Sequence, residues 1–119
     1  MAITVTGNTV KLTPAAGVLS NVGNIATKTN TFHVTNASST VYAYVGVFNN
    51  YADAAAMDYP TANADAGGTI LVPNESMTIQ GNFGLGALSA QANVYVAAIT
   101  GTGTTSVFFT PVAVGSSAV

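Results

Sequence analysis

The sequence predicts an all-β chain: a single antiparallel β-sandwich or jelly-roll-like domain of about eight short strands with two long loops. Apolar and polar residues alternate with period two along most of the chain, and turn-forming residues separate the alternating runs. At 119 residues the chain suits one domain, and about half of it is hydrophobic, enough to build a core. Residues 1–114 are assigned to the sandwich and residues 115–119 to a loose tail.

The elements follow in order. Ile3 and Val5 alternate with Thr4 and Thr6, Gly7-Asn8 offers a tight turn, and Val10 and Leu12 alternate with Thr9 and Lys11. That reads as a hairpin. Residues Pro14 to Asn30 carry few periodic signals and read as the first long connection. Phe32 and Val34 then alternate with Thr31, His33 and Thr35, and Asn36-Ala37-Ser38-Ser39 closes that strand with side chains that bond their own backbone. From Val41 to Phe48 both faces are apolar: Val41, Ala43, Val45 and Val47 on one, Tyr42, Tyr44 and Phe48 on the other. Such a strand is either central in a two-layer packing or covered on its outer face by a partner.

Asn49 to Gly68 is the second long connection, and Tyr51 to Met57 within it suits one or two helical turns after an Asn cap. Thr69 to Val72 and Ser76 to Gln80 suggest a second hairpin around Pro73-Asn74-Glu75. Asn93 to Thr100 is again apolar on both faces. Gly101-Thr102-Gly103 turns the chain, and Thr104 to Thr110 returns. Pro111 is expected to end that ladder, because it has no N–H to donate.

Charge is nearly absent. Lys11, Lys28, Asp53, Asp58, Asp65 and Glu75 are the only charged side chains, 5% of the chain against roughly 25% in ordinary soluble domains. The 17 Thr, 8 Ser and 11 Asn must therefore supply most of the polar surface. A free monomer normally disperses itself with mixed surface charge, so this composition points to life inside a larger assembly. With no Arg and two scattered Lys, a nucleic-acid surface is not expected. No cysteine is present, which excludes disulfides, thiolate metal sites and thiol nucleophiles. The N-terminus lacks the basic and apolar regions of a signal peptide, and no run reaches the about 18 apolar residues of a membrane helix. Neither secretion through a leader nor a membrane partner is expected.

The chemistry-bearing residues do not assemble into an enzyme. His33 is the single histidine, on a strand face with Thr31 and Thr35 and no nucleophile and acid beside it; it reads as a surface or interface residue. Asn63-Ala-Asp65-Ala-Gly67-Gly68 resembles the start of a calcium loop, but Gly67 and Asn74 stand where ligands are needed, so a polar turn is the plainer reading. Asp53, Asp58 and Glu75 lie in loops and offer no paired carboxylates in a buried setting. Gly81 to Gly86 is glycine-rich without the strand and helix of a phosphate cradle. No cofactor is expected.

The aromatics are the better candidates. Tyr51, Tyr59 and Phe83 fall in loops, and Tyr42 and Tyr44 lie on an outward strand face. Loop tyrosines over a sandwich act as protein-interface anchors or sugar platforms. Without Trp or Arg nearby, interface anchors are the reading taken for Tyr42, Tyr44, Tyr51, Tyr59 and Phe83, with core packing of Tyr42 and Tyr44 as the plain alternative.

Taken together, the Thr/Val opening, Phe32-His-Val-Thr-Asn36 with the Val-rich strand after it, Gly68-Thr-Ile-Leu-Val-Pro73-Asn-Glu-Ser-Met-Thr-Ile79, Val94-Tyr-Val-Ala-Ala-Ile99 and Gly101-Thr-Gly-Thr-Thr-Ser-Val-Phe-Phe-Thr-Pro111 resemble small β-rich virion proteins of tailed bacteriophages, most of all capsid decoration (cement) proteins. The resemblance implies a non-enzymatic structural protein on the capsid exterior, made in the host cytoplasm. It would bind the major capsid protein lattice and copies of itself, as a homotrimer at three-fold positions. The family commonly clamps with an N-terminal arm; alternation here starts at Ile3, so the long loops would take that part. The alternatives are a tail fibre or host-recognition module that binds surface glycans, and a self-assembling shell protein.

Overall fold

A computed structural model describes residues 3–16, 21–26, 29–59, 68–81 and 93–114. It is an all-β sandwich of two antiparallel sheets with one short helix. The strands are β1 (Ile3–Val5), β2 (Val10–Leu12), β3 (Asn21–Ala26), β4 (Thr31–Asn36), β5 (Ala43–Phe48), β6 (Thr69–Leu71), β7 (Ser76–Gln80), β8 (Asn93–Thr100) and β9 (Val107–Val114). Helix α1 (Tyr51–Ala55) lies between β5 and β6.

Sheet I runs β1-β9-β4-β7 with β2 also on β9, and sheet II runs β3-β8-β5-β6. With β1 and β2 counted as one broken strand, these are two four-stranded sheets. Successive strands change sheet at every connection except β5 to β6, which is the jelly-roll arrangement. Alternation decides the inner faces. Phe32, Val34, Val107 and Phe109 of sheet I meet Ala43, Val45, Val47, Val94, Val96 and Ala98 of sheet II in one buried cluster closed by Leu12, Ile25 and Leu71.

Two predicted hairpins do not form. β1 and β2 do not pair with each other; both pair antiparallel with β9, Val5 opposite Val112 and Val10 opposite Phe109. The register slips by two residues between them, so Gly7-Asn8 marks a bulge rather than a hairpin turn. The bulge also explains why Pro111 does not end the ladder as expected. The Pro111 carbonyl accepts from the Thr6 N–H at 2.9 Å, so its missing N–H faces the slipped segment, and β9 continues to Val114. A Cβ on Gly7 would lie 2.9 Å from the Pro111 ring, so the close approach needs glycine.

Likewise β6 and β7 belong to different sheets. Pro73-Asn74 is a corner: the Val72 carbonyl accepts from the Glu75 N–H at 3.2 Å, with Asn74 at φ 60°. Proline at the second position and a left-handed third residue define a type II turn. The Gly101–Gly103 turn is a second corner, carrying the chain from β8 in sheet II to β9 in sheet I.

Strand β3 lies inside the region read as a structureless connection. Its Asn21-Val-Gly-Asn-Ile-Ala26 sequence hides it, since Asn and Gly have poor strand propensity. Gly23 is there for space: a Cβ would lie 3.1 Å from both Leu12 and Val10 side chains and 3.3 Å from Val96. The predicted short helix forms as α1. The Asn50 side chain accepts from the Asp53 N–H at 2.8 Å and donates to the Asp53 carboxylate at 2.9 Å, a reciprocal cap.

Asn36, fully buried at the end of β4, joins the corners. Its Nδ2 donates to the carbonyls of Val41, Leu71 and Val72 at 2.8, 3.2 and 3.3 Å. Its Oδ1 accepts from Thr105 Oγ1 at 2.7 Å and from the Ser38 N–H at 3.2 Å. Replacing Asn36 with Ala leaves several buried backbone groups unpaired and is expected to cost about 3 kcal/mol or more, measured by urea denaturation. At the Pro73 corner, Asn74→Gly is expected to hold stability within about 0.5 kcal/mol while Asn74→Ala loses about 1 kcal/mol, since only the latter meets the left-handed penalty. Equal losses in the same assay would refute that account.

Candidate docking and binding surfaces

The outer faces of the two sheets differ. On sheet II the outward residues Tyr44, Ala97 and Ile99 are buried beneath Ala54 of α1 and Met57 after it, with Val22, Phe48, Tyr59, Ile70 and Tyr95 around them. Small residues make the approach possible: a Cβ on Gly46 would lie 3.0 Å from Met57 Sδ. The apolar outer faces of β5 and β8 are therefore covered by the chain itself, not by a partner.

Sheet I has no such cover among the described residues. Its outward side chains are Thr31, His33 and Thr35 on β4, Ser76, Thr78 and Gln80 on β7, and Phe108 and Thr110 on β9. Hydroxyls pair across the strands, Thr35 with Ser76 at 2.8 Å and Thr9 with Thr110 at 2.7 Å. Lys11, opposite Phe108 on β2, is the one charged residue registered on this face among the described residues. The result is a sheet surface mainly of hydroxyls, with a central imidazole, Gln80 and Phe108, and almost no charge among the described residues.

The five aromatic candidates separate. Tyr44 is 6% exposed; its hydroxyl accepts from the Gly68 N–H at 2.8 Å and its ring meets Tyr59 edge-on at 6.3 Å. It is a core residue, which corrects its reading as an interface anchor. Tyr59 is half-buried in the same layer, and its ring lies 2.8 Å from where a Gly101 Cβ would stand. Tyr42 is 50% exposed, just ahead of β5. Tyr51 is 59% exposed on α1, its ring edge-on to Tyr95 at 6.1 Å. Phe83 lies outside the described residues, as do Lys28, Asp65 and the start of the calcium-like loop.

Tyr42 and Tyr59 come together with Thr40, Gly101 and Thr102 around a cleft of about 370 Å³. A second cleft, about 340 Å³, opens between the sheets beside Val45, Val47, Met77 and Ile79, and a third, about 380 Å³, lies among Thr13, Ser38, Ser39 and Thr104 to Ser106. Among the described residues no charged side chain lines any of the three. Asp53 caps α1, and the Glu75 carboxylate accepts from the Val72 N–H at 2.9 Å in its corner. Among the described residues no three His, Cys, Asp or Glu side chains cluster, and no helix is long and apolar enough to cross a membrane.

The cover over sheet II makes a stability prediction. Met57→Ala is expected to cost about 3 kcal/mol, because it empties the layer under α1. Tyr51→Ala, on the outer side of that helix, should cost less than about 1 kcal/mol. Thermal or urea denaturation of the two variants checks this, and similar losses would mean that α1 is not an integral lid. No protein-family model, curated protein or solved structure matches the chain.

Proposed function

We propose that this chain is a non-enzymatic structural virion protein that binds the major capsid protein lattice of a phage head and stabilises it from outside. The observation that carries the reading is the nearly uncharged, hydroxyl-rich outer face of sheet I, whose inner face is packed in the core between the two sheets. Apart from Lys11 on β2, docking such a face buries no charge of the described residues and asks mainly for neutral hydrogen-bond partners, which keeps the desolvation penalty of association low. Close-set copies of a chain with net charge −2 repel one another little.

Cementing follows from mass action. A protein that binds only the assembled shell stabilises it by its binding free energy. A symmetric lattice then repeats one modest contact many times. The fold itself carries no such assignment, because sandwiches of this kind serve many functions. The sequence resemblance to phage decoration proteins and the character of the sheet I face are what support it.

Co-sedimentation with empty phage heads that lack the protein tests the proposal. The native chain is expected to pellet with heads in stoichiometric amounts and to raise their thermal stability. Thr35→Glu and Thr78→Glu place a carboxylate on the sheet I face without touching the core; each is expected to weaken head binding by about tenfold or more while the fold persists. A chain that stays in the supernatant, or heads that resist heat equally well without it, would overturn the reading.

A further inference from the structure

The cleft at the end of the sandwich that holds Tyr42 has the character of a small-molecule site. Two corners frame it. On one side the Ser38 hydroxyl accepts from the N–H groups of Thr40 at 3.0 Å and Val41 at 2.9 Å, which fixes the loop that presents Tyr42. On the other, Thr100 Oγ1 donates to the Gly103 carbonyl at 2.6 Å, and Gly103 adopts φ +79°. A Cβ on Gly103 would lie 3.0 Å from the Val41 side chain, so the two corners touch. Tyr59 is held between Tyr44 and Gly101 and forms a rigid wall. The site is preformed, as small-molecule sites usually are.

Its chemistry is narrow. Among the described residues the lining is two tyrosines, two threonines and one glycine. Every polar side chain there is a hydroxyl, able both to donate and to accept. Tyr42 presents a half-exposed aromatic ring, a large and stiff contact surface with few rotamers to lose. About 370 Å³ is at the small end of the range for ligand sites, room for one or two sugar rings. A pyranose offers the complement: a C–H face that packs on an aromatic ring, and a rim of hydroxyls that exchange hydrogen bonds with hydroxyls. Among the described residues no cationic side chain lines the cleft to hold a carboxylate or sulfate.

We infer that the Tyr42–Tyr59 cleft binds a neutral pyranoside, with Tyr42 as the stacking platform and Thr40 and Thr102 as hydrogen-bonding side chains. This stands apart from docking by sheet I, which uses another surface. A ligand this small binds weakly at a single site, with Kd on the order of 1 mM. Repetition of the chain on a lattice would turn that into useful avidity for a glycan-coated surface.

The test is a titration of the 15N-labelled full chain with the methyl glycosides of glucose, galactose, mannose and N-acetylglucosamine, followed by amide shifts. At least one glycoside is expected to give saturable shifts centred on Thr40, Tyr42, Tyr59, Gly101 and Thr102. Tyr42→Ala should weaken that binding about tenfold, and Thr102→Val, which keeps the shape and removes a hydroxyl, should weaken it about threefold. The dispersion of the same spectra reports whether each variant is folded. No shift with any glycoside at tens of millimolar overturns the inference. So does binding that survives Tyr42→Ala. Head co-sedimentation measured alongside keeps the two readings separable, since loss of either result leaves the other standing.

Discussion

The constraint on which the architecture rests is the satisfaction of backbone groups where the chain changes sheet. A strand inside a sheet has its partners supplied by its neighbours, but a corner does not. This chain crosses between sheets at nearly every connection, so it must pair those groups with side chains or leave them buried and empty. Asn36 does this for one end of the sandwich. One amide, with two donors and one acceptor atom, reaches the carbonyls beside β5 and β6, a hydroxyl before β9 and the turn that follows β4. Thr105, also buried, exists in that network as a donor to Asn36. Ser38, Glu75 and the buried Thr100 hydroxyl perform smaller versions of the same task.

Once the corners are secured, the two sheets can be unequal. Sheet II is covered on both sides, and the small Gly46 and Ala97 in its outer layer let one short helix and the segment after it lie close. Among the described residues sheet I is covered on one side only. The asymmetry gives the molecule a back, sealed by its own chain, and a front of hydroxyls. An outward strand surface that is apolar in the sequence turned out to be internal, and the open surface is one whose individual strands look unremarkable.

Low charge ties the surface to the proposed role. A surface with few carboxylates and lysines gives up the usual route to solubility. In return it can meet a neutral partner without stranding an ion. The same economy shows in two of the three described acids: Asp53 caps α1 and Glu75 ties a corner.

What the sequence by itself determined is the secondary structure along most of the chain and the two-layered core. Period-two alternation marks β4, because burying one face of a pleated strand leaves no other pattern, and short runs apolar on both faces mark β5 and β8 in the sheet covered on both sides. Asn50 before Tyr51 announced the short helix, since a cap is a local interaction. The tertiary structure alone decided the pairing. Gly7-Asn8 and Pro73-Asn74 are turn signals that serve equally a hairpin, a bulge or a corner, and the choice depends on which distant strand lies alongside. β3 was hidden because Gly23 answers to Leu12, Val10 and Val96, a crowding that exists only after folding. The candidate surfaces divided in the same way. Exposed tyrosines were legible as a class. That Tyr44 is core while Tyr42 opens into a cleft with Tyr59 depends on where α1 and the Gly101 corner come to rest, which are contacts between residues far apart in the chain.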